Sequence, residues 1–173
     1  PHFIGIQLRW SEDSKSLSGF HFPRGYKEFH LLEIQTSDLS IRKIYSESSS
    51  THINRDNIFR RLKNDQFILG SDKSGWNQLY LMDWKTGKEI LPLTSGAYVV
   101  NKLSFLDESK GVLYFEASGK EAGRNPYFNH LYKVNLDGSN LQLLTPENAF
   151  HELSISPNGR FAVDNYSTVN QPT

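Results

Sequence analysis

Serine, histidine and aspartate are all plentiful in this chain, so nucleophilic hydrolysis is the first chemistry to test. A nucleophile elbow places its serine within G-x-S-x-G, where a tight turn exposes the hydroxyl. No serine here has glycine two places before and two places after it. The segment "GSDKSGW" (70–76) brings Gly70 and Gly75 close to a serine, but in the wrong register. The six histidines, His2, His21, His30, His52, His130 and His151, show no metal-ligand spacing. His151-Glu152 begins an H-E-x-x-H, yet Ile155 stands where the second histidine belongs. His30 and His130 each directly precede a strand-like run, which assigns them a repeated structural role. The chain has no cysteine, which excludes thiolate nucleophiles, thiolate metal sites and disulfides. The carboxylate pairs Glu12-Asp13 and Asp107-Glu108 fall in turns, where solvation is the expected state. Neither a metal nor a cofactor is expected.

Two sets of residues remain. Trp76, Tyr80, Trp84, Tyr114, Phe115, Tyr127, Tyr132 and Tyr166 lie at spacings that suit filling between sheets. The segment "SGKEAGRNPYFN" (118–129) is long for a hairpin connection, polar, and carries Lys120, Glu121, Arg124 and Tyr127. Long loops on rigid scaffolds often carry function. Lys120, Arg124 and Tyr127 are therefore the candidate contact residues.

The elements that must hold them are strands. "HLLEIQ" (30–35), "QFILGSD" (66–72), "QLYLMDW" (78–84), "GVLYFEAS" (111–118) and "HLYKVNL" (130–136) are leucine-rich, β-branched and aromatic, bounded by Gly, Asp, Asn and Ser. No apolar helical period persists over three turns. The fold class is all-β. The strands also repeat. Leu103 and Leu153 open matching segments 50 residues apart, and Leu31, Leu79 and Leu131 are separated by 48 and 52. Each unit reads strand, turn, strand, variable loop, strand, polar turn, strand. Thr86-Gly87 and Asp137-Gly138 supply the last turn of two units. Four-stranded units at this period are those of β-propeller blades. The units fall at about 8–57, 58–102, 103–152 and a partial 153–173, giving three to four blades of antiparallel sheet.

Composition bounds the partners. With 19 basic and 19 acidic residues in 173, the formal charge is zero. No basic stripe is present for nucleic acid or an anionic membrane surface. No apolar run approaches the roughly 20 residues that span a bilayer. The chain starts at Pro1 and ends at Thr173 as though cut from a longer protein.

Taken in order, "SDKSGWNQLYLMDWKTGKEILPLTSGAYVV", "GVLYFEASGKEAGRNPYFNHLYKVNLDGSNLQLLTPE" and "HELSISPNGRFAVDNYS" resemble the propeller domain of the dipeptidyl peptidase IV family of serine peptidases. The resemblance is good over 66–167 and looser over 8–65. Asp72 stands where the family has Glu, and Asn77-Gln78 where it has a variable residue and His. The resemblance implies the C-terminal portion of an eight-bladed propeller, followed by an α/β-hydrolase domain carrying the catalytic residues. It implies a peptide substrate cleaved as X-Pro or X-Ala dipeptides from the amino terminus. It also implies a possible homodimer, a periplasmic or otherwise extracytoplasmic location, and a cavity-facing arginine at Arg55. This segment would restrict access and help position substrate without catalysing anything itself. The alternative is a periplasmic propeller that binds partner proteins and has no peptidase activity.

Overall fold

The structure is a computed structural model that describes residues 8–53 and 58–171. The described residues contain no helix and form fourteen strands: β1 Leu8–Trp10, β2 Ser16–His21, β3 Glu28–Gln35, β4 Ile41–Ser48, β5 Phe59–Arg61, β6 Gln66–Ser71, β7 Gln78–Asp83, β8 Glu89–Pro92, β9 Val99–Asp107, β10 Val112–Ser118, β11 Asn129–Asn135, β12 Gln142–Leu143, β13 Phe150–Ile155 and β14 Ala162–Ser167. They make three four-stranded meanders, β1–β4, β5–β8 and β9–β12, and a two-stranded hairpin, β13–β14. Neighbours in sequence are neighbours in each sheet. That is the simplest order for short turns to produce.

The chain divides into two compact units. The first holds β1–β4 with the turn 83–88, and the second holds the remaining strands. In the first, β3 alternates buried and open positions, with Phe29, Leu31 and Glu33 all inward. Phe29 is surrounded by the rings of Phe20, Phe22 and Tyr45 at 5.7–5.9 Å. Glu33 is buried among partners: Arg42 Nη2 donates to it at 2.8 Å, Trp84 Nε1 at 3.1 Å and Ser16 Oγ at 3.2 Å. Gly87 closes the 83–88 turn at φ 67°, where any added methyl would collide with the Ile44 carbonyl oxygen.

In the second unit, β6 and β7 are near-continuous apolar runs and are buried at almost every position. The core joins Ile68, Leu79 and Leu81 to Val100, Leu113, Phe115, Ala117, Tyr132 and Val134. Side chains such as Leu79, Leu113 and Phe115 lose all exposure, each contributing about 1.5–3 kcal/mol. Phe115 and Tyr132 stack at 5.5 Å. The aromatic residues divide by position. Tyr80, Phe115 and Tyr132 on strands and Trp84 in the 83–88 turn are buried, whereas Trp76, Tyr127 and Tyr166 remain open to solvent.

A repeated clasp fastens the meanders of the second unit. Thr94 Oγ1 accepts the Leu79 amide proton at 2.9 Å, and Thr145 Oγ1 accepts that of Leu131 at 2.9 Å. Two residues before each leucine stands an asparagine. Asn77 Nδ2 donates to the Val100 carbonyl at 2.7 Å, and Asn129 Nδ2 to that of His151 at 3.2 Å. Each sheet is thereby bonded to the first strand of the next. Solvated aspartates shape the hairpin turns, as the sequence implies. Asp107 accepts from Ser109 Oγ, from the Lys110 side chain and from the Lys110 amide, which hold its carboxyl down to about 2.

Candidate functional site

The loop 119–128 connects β10 to β11 and is fixed at several points. Gly119 and Gly123 take left-handed φ values of 84° and 76°, turning the chain sharply at each end of "KEA". Glu121 accepts the Tyr132 hydroxyl proton at 2.9 Å. Burial, followed by the Glu121 carboxylate, pushes the Tyr132 phenol far above its ordinary value, so it stays a donor. Arg124 Nη1 donates to the Glu147 carbonyl at 3.4 Å. Asn125 Oδ1 accepts the Tyr127 amide proton at 3.0 Å, and this small turn projects the ring of Tyr127 outward at 84% exposure.

The sequence-expected residues therefore share one loop but serve different ends. Lys120 lies over the Tyr98 ring at 5.5 Å, a cation–π distance. Arg124 anchors the loop, and the Tyr127 ring is open to solvent. Arg55 lies outside the described residues.

Under the loop is a polar cluster that sequence reasoning missed. Glu116, on β10, is almost wholly buried; its Oε1 accepts from Ser104 Oγ at 2.7 Å and Lys102 Nζ at 3.1 Å, and its Oε2 from Asn129 Nδ2 at 2.7 Å. Asn101 donates to Asn129 at 3.0 Å. Next to it, His130 and His151 face each other with ring centroids 5.2 Å apart. His151 Nδ1 meets Asp164 Oδ2 at 2.8 Å, and its Nε2 meets the Glu147 carbonyl at 3.1 Å. The signal was in the chain: Asn77 and Asn129 each stand two residues before the repeated leucine. His30, Gln78 and His130 each precede the repeated leucine; Gln78 and His130 bond a backbone carbonyl, whereas His30 stacks on His21 at 5.8 Å.

The His151–Asp164 pair has no hydroxyl nucleophile on its free side, because His151 Nε2 is taken by a backbone carbonyl. Among the described residues no three His, Asp or Glu side chains are grouped to hold a metal. A separate open concavity of about 580 Å³ is lined by Lys73, Trp76, Tyr80, Glu89 and Pro92, with the Lys73 ammonium 3.8 Å from the Tyr80 ring centroid and paired with Glu89.

Residues 4–173 match the family model described as the dipeptidyl peptidase IV (DPP IV) N-terminal region. The chain is 39% identical over 111 residues to a protein named "Probable dipeptidyl-aminopeptidase B" from Aspergillus oryzae, covering 62% of this chain and 12% of that one. It is 26% identical over 174 residues to "Dipeptidyl peptidase 4" of Trichophyton equinum, covering 90% of this chain and 21% of that one. The crystal structure of Porphyromonas gingivalis dipeptidyl peptidase 4 superposes with a TM-score of 0.83 at 19% identity, covering 95% of this chain and 23% of that one. The chain thus spans less than a quarter of each of these three proteins. The four antiparallel sheets are those of an all-β partial propeller, as the repeats imply. By the match across nearly its full length, the chain belongs to the dipeptidyl peptidase IV N-terminal region family.

Proposed function

We propose that this chain is the non-catalytic propeller segment of a serine exopeptidase that releases X-Pro and X-Ala dipeptides from peptide amino termini. In this reading it gates substrate access to an α/β-hydrolase domain of the same protein. The observation that carries the reading is the family match over residues 4–173, together with relatives named dipeptidyl peptidases. The 119–128 loop supports it: an anchored, polar loop presenting Tyr127 on a rigid sheet suits the handling of a peptide. Peptide substrate and the hydrolase domain are then the partners, with a homodimer as the assembly and an extracytoplasmic compartment, the periplasm in a Gram-negative cell, as the location.

The test compares hydrolysis of a Gly-Pro chromogenic amide by the full-length protein and by residues 1–173. Activity in the full-length protein alone is expected. Activity in neither would overturn the peptidase reading in favour of a partner-binding propeller. Activity in the segment would overturn its non-catalytic role.

A further inference from the structure

The clasp of the second unit is built twice, with one difference that changes its chemistry. After Asn77 comes Gln78, whose Nε2 donates to the Tyr98 carbonyl at 2.7 Å and the Gly96 carbonyl at 3.2 Å. An amide does this at any ordinary pH. After Asn129 comes His130, whose Nδ1 meets the Thr145 carbonyl at 3.1 Å. A carbonyl only accepts, so that nitrogen carries the proton, and the neutral ring leaves a lone pair on Nε2. His130 Nε2 is buried and has no partner.

What faces His130 sets the effect of a proton there. From β13 comes His151, which has no exposed surface and whose two nitrogens meet only acceptors, Asp164 Oδ2 and the Glu147 carbonyl. Both of its nitrogens are thereby engaged, so His151 offers no acceptor to a proton on His130. From the 119–128 loop come Arg124, a cation, and Glu121, whose carboxylate favours a charge on His130; on β10, Glu116 is bonded to the adjacent Asn129 and already paired with Lys102. Asp164 on β14 is already engaged by His151. The Glu147 carbonyl receives both His151 Nε2 and Arg124 Nη1, so the loop and the buried ring share one anchor. Burial foremost, and then the charges of His151 and Arg124, push the His130 imidazole below its ordinary value, against the Thr145 bond and Glu121.

We propose that His130 makes this junction acid-labile: protonation at its Nε2 sets a cation against His151 and Arg124 and releases the 119–128 loop from the β13–β14 hairpin. The Gln78 junction is the built-in control, since it holds the same place in the preceding repeat with a group that does not titrate. The direction follows from the depressed folded-state value. The stabilisation is complete above the ordinary histidine value of 6.5 and is lost as pH falls through the folded value.

The test is hydrogen exchange of the full-length protein at pH 7.5 and pH 5.0, corrected for the intrinsic pH dependence of exchange and read on peptides covering 119–131, 147–155 and 94–102. Protection of the first two is expected to fall several-fold on acidification, while that of 94–102 holds. His130→Gln, which copies the preceding repeat, is expected to abolish the fall. Gln78→His is expected to transfer it to 94–102, and it serves as the deciding variant if the first fails to fold. Equal acid response in the wild type and His130→Gln, or in both junctions of the wild type, would overturn the proposal. So would a Gln78→His protein whose 94–102 protection ignores pH.

Discussion

Trp84 Nε1 donates to Glu33 Oε1 at 3.1 Å across 51 residues of sequence, tying the 83–88 turn to β3. Arg42 completes the site by donating to the other carboxylate oxygen and to the carbonyls of Trp84 and Lys85. One guanidinium and one indole thus satisfy a buried carboxylate and the turn above it.

Burial pushes the Glu33 carboxyl up, but the bonds from Arg42, Trp84 and Ser16 outweigh it and hold the group below its ordinary value of 4.5. A depressed carboxylate contributes stability that is present above that value and lost as pH falls through the folded one. Glu33→Gln is expected to cost about 2–3 kcal/mol at pH 7 and to flatten the acid limb of the stability curve below about pH 4.5. Trp84→Phe, which keeps the packing and removes one donor, is expected to cost about 1–2 kcal/mol. Urea unfolding between pH 3 and 7 checks both, and an unchanged acid limb in Glu33→Gln would count against the account.

The two threonine clasps predict a matched pair of effects. Thr94→Val and Thr145→Val each preserve shape and orphan one buried amide, of Leu79 or Leu131, at about 1–3 kcal/mol. Because the geometry is duplicated at 2.9 Å, the two costs are expected to agree within about 0.5 kcal/mol. Denaturant midpoints with unchanged slopes are the measurement. A large disagreement would show that the repeat is geometric only.

How much of this was legible in the sequence depended on what each residue answers to. The strands were, because leucine, β-branched and aromatic residues between turn formers have one good local solution. Asp107 and Asp137 in turns were legible for the same local reason. Asn77 read only as a departure from a family pattern, since its partner Val100 lies 23 residues on and only a folded sheet brings the two together. His151 read as half of a failed metal motif, and its pairing with Asp164 needed the register of the β13–β14 hairpin. Among the aromatics, Tyr80 and Trp76 differ in burial because one sits on a sheet face and the other near a turn, a distinction residue type alone does not carry.

Glycines at turns separate backbone strain from collision. Gly75 has φ 92° with open space where a side chain would go, whereas Gly87 at φ 67° meets the Ile44 backbone. Gly75→Ala is expected to cost about 1–2 kcal/mol from conformation alone. Gly87→Ala is expected to cost at least about 3 kcal/mol, because the 83–88 turn must move. Melting temperatures of the two variants give the comparison, and equal losses would rule out the collision.

If the 119–128 loop contacts peptide, Tyr127→Ala in the full-length protein is expected to raise KM about three- to tenfold with little change in kcat, since an exposed ring supplies binding alone. Its melting temperature is expected to stay within about 1 °C of wild type, because Tyr127 buries almost nothing. A change in kcat with KM constant would place Tyr127 outside substrate binding.

The asparagine clasps also set a schedule for the newborn chain. Asn77 waits for the carbonyl of Val100, 23 residues later, and Asn129 for that of His151, 22 residues later. At ribosomal speeds of about 5–20 residues per second, each meander stays unlatched for roughly 1–5 s after its asparagine is made. A stall just after residue 77 or 129 would prolong that interval, so codon choice over 78–100 and 130–151 bears on how much protein folds.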